Sequence, residues 1–199
     1  MKKEQEILLK KVEAFVKGLL EKELSENMYF HNLEHTLLVV EGVKIIGKEN
    51  NVNENELFIL ILAAFLHDIG YTRQYIGHEQ TSAEMAERFL LENGLEQAQV
   101  KVVTNCIMAT KYPQLPNNDF EKIICDADFY HFSLQNYLVF AARLKREWEE
   151  NLRLVYTDRE WYAINIKMLT GHEYFTPFGK QRLQKKKNLN IEKLMQRFT

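Results

Sequence analysis

An all-α architecture follows from three features of this 199-residue sequence. Chain breakers are scarce, with 8 Gly and 3 Pro, whereas an all-β protein needs such residues at its many turns. Apolar residues recur at spacings of three and four through most of the chain, and no run alternates with period two. With 46% hydrophobic and 27% charged residues, the composition is that of a globular protein, which excludes disordered and collagen-like architectures. A chain of this length buries a sizeable core without disulfides or a structural metal.

Leu8, Val12, Phe15 and Leu19 predict a first helix over residues 3–23, and residues 25–30 interrupt the pattern. Leu38, Val39, Val43 and Ile46 predict a second over 32–47. Asn53 reads as the N-cap of the third, with Glu56 at the capping-box position and Val52 as a hydrophobic staple. This third helix is apolar on every face as far as His67, the pattern of a core element, and Gly70 is expected to end it in the left-handed conformation. A fourth helix is expected over 79–93, stopped by Gly94, and a fifth over 97–111, stopped by Pro113 and Pro116. A short helical stretch covers 120–132. Leu134, Leu138, Ala141, Leu144, Trp148 and Leu152 then mark a long one. Residues 161–169, 179–187 and 191–198 are shorter candidates. The expectation is one compact domain over 1–199, with a helical C-terminal extension from about residue 136.

Basic residues number 26 and acidic 28, a formal charge of −2 that gives no electrostatic reason to expect nucleic-acid binding. Cys106 and Cys125 sit in apolar runs without C-x-x-C spacing, so two buried free thiols in a reducing cytoplasm are expected. The N-terminal pattern is amphipathic rather than that of a signal peptide. The longest apolar run, residues 57–66, is too short to cross a bilayer, and no membrane association is expected. Trp148 and Trp161 read as core. The basic stretch 180–187 reads as a solvated helix face, with a minority reading in which Arg182 or Lys185 grips phosphate beside Tyr174, Thr176 and Lys180.

Four of the six histidines fall in the first eighty residues: His31, His35, His67 and His78. His31 and His35 are four apart, a spacing that puts both imidazoles on one face of a helix. His67-Asp68 ends the apolar third helix, where unsatisfied carbonyls favour a bound cation. Cys125-Asp126-Ala127-Asp128 sets two carboxylates after an apolar pair. Taken together, His35, His67-Asp68 and Asp128 resemble the His…His-Asp…Asp signature of the HD superfamily of metal-dependent phosphohydrolases, over roughly residues 27–135.

The resemblance implies an HD-domain helical bundle with His35, His67, Asp68 and Asp128 as ligands of one divalent metal ion, Asp68 also serving in catalysis. Mixed nitrogen and oxygen donors suit Mn, Fe, Co, Ni or Zn better than Ca, and Mg stays among the possible identities. Asp126 rivals Asp128 as ligand; the family's Ala-Asp pair favours Asp128 and leaves Asp126 to orient a neighbour. His31-Asn32-Leu33-Glu34-His35 is also similar to the opening motif of cyclic-nucleotide phosphodiesterases, which makes His31 a candidate general acid. His78 and Glu79 match a region that supplies either a second-metal ligand or groups positioning water and phosphate. They are candidates for substrate binding and catalysis respectively. The following helix offers no histidine, so a single metal is expected, and Lys111 is a candidate for meeting substrate phosphate. His131 and His172 read as ordinary hydrogen-bonding residues. The implied activity is hydrolysis of a small phosphate ester, a nucleotide or similar molecule. Two other readings fit the same resemblance: a non-catalytic metal- or nucleotide-binding module, and a diiron oxygenase, which needs more histidines than the motif supplies.

Overall fold

The computed structural model describes residues 2–198, and among these are nine α-helices and no strand. They are α1 (Lys3–Glu23), α2 (Leu33–Glu49), α3 (Glu54–Leu66), α4 (His78–Glu92), α5 (Gln97–Ala109), α6 (Asp119–Asp128), α7 (Tyr137–Asn151), α8 (Asp158–Gly171) and α9 (Gln184–Phe198). Short 3₁₀ turns, Ile69–Thr72 and Phe129–Ser133, each follow directly on one of the two motif aspartates.

The bundle is organised around α3. Asn53 caps it through the expected box, accepting from Asn55 and Glu56 backbone N–H groups while Glu56 accepts from Asn53. Every residue from Phe58 to Leu66 is buried, because α1, α2, α5 and α6 surround the helix. The apolar run continues into a 19-residue helical stretch, Glu54–Thr72, which by length and composition alone is sufficient for a membrane span. In the bundle 72% of that stretch's most apolar window is already buried inside the protein.

Two glycines bring site-bearing elements together. A Cβ on Gly42 of α2 would lie 3.2 Å from the Ala127 backbone, so α2 and α6 pack in near-contact and carry His35 towards Asp128. Gly70 does not adopt the left-handed conformation expected of it. It lies in the turn after α3, where a Cβ would meet the His78 carbonyl oxygen at 2.1 Å, and its N–H donates to Ser82 Oγ at 2.8 Å. Its smallness, not its dihedral freedom, lets the N-terminus of α4 close over the end of α3. Gly94 does take positive φ, at 83°, beyond the end of α4.

Beyond α6 the outcome departs further from the sequence periodicity. The buried positions of α7 are Tyr137, Phe140, Ala141 and Glu147, while Trp148 is only partly buried against Trp161. The apolar stripe therefore turns partly outward and a carboxylate turns inward. Residues 179–198 do not form two short helices: a π-helical turn, Gly179–Leu183, runs directly into α9. Asn190, in the presumed gap, is buried and donates to the Phe132 and Leu134 carbonyls, which removes any reason for a break there. Phe132, Tyr137, Ala141, Leu169 and Leu194 form a second, smaller core, and Tyr174 and Leu183 join the main one.

Candidate metal centre

The local chain path sets the donors. Asn32 caps α2 in extended conformation, accepting from Glu34 and His35 N–H groups. His35 thus begins the helix, whereas His31 lies before it, so the two imidazoles do not share a helical face as their spacing suggested. His67 closes α3, Asp68 opens the following turn, and Asp128 is the last residue of α6.

These ends converge. His35 Nε2 stands 3.4 Å from Asp68 Oδ2, 3.3 Å from Asp128 Oδ1 and 3.4 Å from His67 Nε2. His67 Nε2 is 3.1 Å from Asp68 Oδ2 and 3.8 Å from Asp128 Oδ1. Donors at about 2.1 Å from one ion at right angles lie about 3 Å apart, so these separations are near the edges of a first-row metal polyhedron. His35, His67 and Asp128 each offer one atom within 4.8 Å of the others. Asp68 completes a quartet.

The chemistry of the donors also demands a cation. His67 Nδ1 donates to the Ala64 carbonyl at 2.9 Å, which leaves Nε2 as the nitrogen facing the cluster. Asp68 Oδ2 is buried and has no hydrogen-bond partner. Burial opposes charge on Asp68, but His67 and its neighbours outweigh it and hold the carboxyl well below the usual range. Asp128 is likewise lowered, burial being outweighed by His35 and His67. The same carboxylates overcome the burial of His67 and push it up to about 9, so a proton occupies the role a metal would fill. A divalent ion fits this site.

Four further residues, none singled out from the sequence as site members, complete the surroundings. Gln114 Nε2 donates to Asp128 Oδ2 at 3.0 Å, orienting the carboxylate from a loop without a motif. Glu147 of α7 has no exposed side-chain surface. It accepts from the Phe30 and His31 N–H groups at 2.7 and 3.0 Å, from Tyr75 Oη at 2.9 Å, and from His31 Nδ1. Burial opposes protonation of His31, but Glu147 outweighs it and raises the imidazole above its ordinary value. Nδ1 being committed, Nε2 is the nitrogen left for the cluster, where the His35 and His78 rings stand 5.7 and 6.3 Å away. Tyr71 packs between His31 and His78.

His78 opens α4 with Nδ1 donating to the Tyr75 carbonyl at 3.2 Å and Nε2 at 3.5 Å from Asp68 Oδ1. Asp68 thus presents one oxygen to the His35–His67 pair and the other to His78. Glu79 is buried beside it, 3.7 Å from His78 Nδ1, and makes no contact of that kind with the four donors. Lys111 is not brought to the cluster. α5 stops at Ala109, and Lys111 lies exposed in a groove with Asn105, Tyr112 and Glu121. Asp126 points away from Asp128, accepting from Phe175 N–H at 2.7 Å and from Thr176 N–H and Oγ1 at 3.0 and 2.7 Å. It fastens the C-terminal segment and orients none of the donors.

Tyr174 donates to the Phe129 carbonyl and Thr176 serves Asp126, so neither faces the cluster. Lys180, Arg182 and Lys185 are exposed, but Lys187 is fully buried, donating to the His172 carbonyl at the end of α8. Burial lowers Lys187 to about 8 and its neighbour His172 to about 3. His131, on the Asp128 carbonyl, is also lowered to about 3 by burial and stays neutral. Cys106 and Cys125 are buried free thiols, and burial pushes Cys106 up to about 12.

Comparison with curated proteins and with solved structures gives no significant match. The family model for the HD domain matches residues 32–133, a segment that holds His35, His67, Asp68 and Asp128. On that match and on the convergence of its donors, the chain belongs to the HD-domain family.

Proposed function

We propose that this chain is a divalent-metal-dependent phosphohydrolase. Its substrate is a phosphomonoester or phosphodiester of a nucleotide or another small phosphorylated molecule in the cytoplasm. The observation that carries the reading is the pairing of a four-donor cluster with a separately held histidine: His31 faces the cluster with its far nitrogen locked on buried Glu147. A metal-binding module needs only the first feature; bond cleavage also uses the second.

His35, His67, Asp68 and Asp128 would hold one ion, and two negative charges with two neutral imidazoles match a divalent cation. Such an ion supplies Lewis acidity and a bound water of lowered pKa. The protein's own residues do the rest. Gln114 keeps Asp128 in its ligating orientation. His31, whose hold on a proton Glu147 strengthens against the effect of burial, donates from Nε2 to the departing oxygen as the ester bond breaks. His78, beside Asp68, meets a non-bridging oxygen. The near-balanced charge of the chain favours a small substrate over a polymeric nucleic acid, and the two buried thiols fit a reducing compartment.

The test is a screen of mono- and bis-p-nitrophenyl phosphate and of nucleotides with Mn, Fe, Co, Ni, Zn and Mg added singly to stripped protein. Turnover that requires metal and disappears with chelator is the expected result. Silence with every metal, together with tight nucleotide binding, would replace the enzyme by a sensing module.

A further inference from the structure

Tyr71 lies between the two histidines that flank the donor cluster without belonging to it. Its ring stacks on His31 at 4.4 Å with planes 27° apart, and on His78 at 3.7 Å with planes 18° apart. The imidazoles are 6.3 Å from each other, too far to share one face of a phenol and closer than a straight stack would place them. Both therefore cover opposite faces of Tyr71 and lean towards one edge.

The same segment fixes their far nitrogens. The Tyr75 carbonyl takes His78 Nδ1, and the Tyr75 hydroxyl donates to Glu147, which takes His31 Nδ1. Each imidazole is thus held at one edge and on one face, which leaves His31 Nε2 unengaged and His78 Nε2 with only a long contact, 3.5 Å, to Asp68 Oδ1. The spacing is built into the backbone: Gly70 admits the His78 carbonyl so closely that no side chain fits, which seats α4 and its first residue directly against the turn carrying Tyr71. A side chain kept merely to fill space needs no such parallel faces.

We propose that Tyr71 is a positioning residue whose flat ring sets the gap between His31 and His78, so that their two Nε2 atoms engage different oxygens of one phosphoryl group. His31 addresses the bridging oxygen and His78 a non-bridging one. This assignment rests on the phosphohydrolase reading, and it makes the ring, not the hydroxyl, the working part.

The experiment compares Tyr71→Phe with Tyr71→Leu. The Phe variant keeps a kcat close to wild type, while the Leu variant, apolar but not flat, loses about 100-fold in kcat at unchanged metal content and KM. A Leu variant with wild-type kcat, or a Phe variant that falls as far as Leu, overturns the proposal. A second measurement does not need turnover. In zinc-loaded protein with ¹⁵N-labelled histidine, inorganic phosphate shifts the ring signals of His31 and His78 together in wild type. Phosphate that moves only one of them, or neither, overturns the clamp, and this titration decides the matter if the Leu variant does not fold. Wild-type protein that binds phosphate through both rings yet hydrolyses no ester would sink the enzymatic reading and leave the clamp standing.

Discussion

His31 donates from Nδ1 to Glu147, a carboxylate with no exposed side-chain surface that also accepts two backbone N–H groups and the Tyr75 hydroxyl. Glu147→Gln keeps the shape and removes the charge. Stability is expected to fall by about 2 kcal/mol, the scale for hydrogen bonds to a charged group, as measured by urea unfolding. Hydrolysis of alkyl phosphate esters should drop about 100-fold, the lower range for a lost general acid, while p-nitrophenyl esters, whose leaving group needs no proton, are spared. An equal loss on both ester types would remove His31 from its proposed role.

Asp68 faces His35 and His67 with one oxygen and His78 with the other. Asp68→Ala is therefore expected to abolish metal retention and turnover together, the first read by elemental analysis of dialysed protein. Retention of a full metal equivalent would show that the other three donors suffice and that Asp68 is no ligand.

The pH dependence follows from His67, which the carboxylates push up to about 9 despite its burial. Because its folded value is raised above the ordinary 6.5, its contribution to metal-free stability is fully present below about pH 6.5 and fades as pH rises through about 9. Metal uptake must expel that proton, so affinity strengthens with pH across the same window. Calorimetric titration in two buffers of different ionisation enthalpy should detect about one proton released per metal near pH 7.5 and almost none above pH 10. Below about pH 5 the ion should be lost. Full metal content at that acidity would exclude the two imidazoles as ligands.

Gly70→Ala tests the seating of α4. A Cβ there meets the His78 carbonyl oxygen at 2.1 Å and Ser82 N at 2.8 Å, both backbone atoms of a packed helix. Thermal unfolding should report a loss of about 3 kcal/mol, the upper range for overpacking. The displaced atom belongs to His78, so kcat should fall in the folded fraction as well, and an unchanged kcat would separate α4 placement from catalysis.

The motif residues were legible because each stands near a helix terminus and a local signal survives in one dimension: the four-residue spacing of His31 and His35, the apolar run before His67-Asp68, the apolar pair before Asp128. Glu147 was not, since the apolar spacing of α7 directs Trp148 inward and only the docking of α7 on the His31 loop reveals the actual face. Tyr71 closes the string 63–71 that resembles the family and Tyr75 carries no pattern, but neither reads as a site residue; their roles arise from the closeness of a turn to a helix that Gly70 permits. Lys111 looked well placed at a helix end, but the helix stops two residues sooner and the side chain faces water. Asp126 and Asp128 sit two residues apart, and that step alone sends one towards the C-terminal segment and the other into the cluster.

Glu147 lies outside the matched segment 32–133. Whatever is inherited or exchanged as that segment brings along the whole donor quartet, but neither His31, which stands one residue before it, nor the Glu147 carboxylate that holds His31. Acidity at the reaction centre is thus open to tuning by substitutions in α7 that leave every signature residue untouched. Two chains alike in motif would then differ in which esters they break.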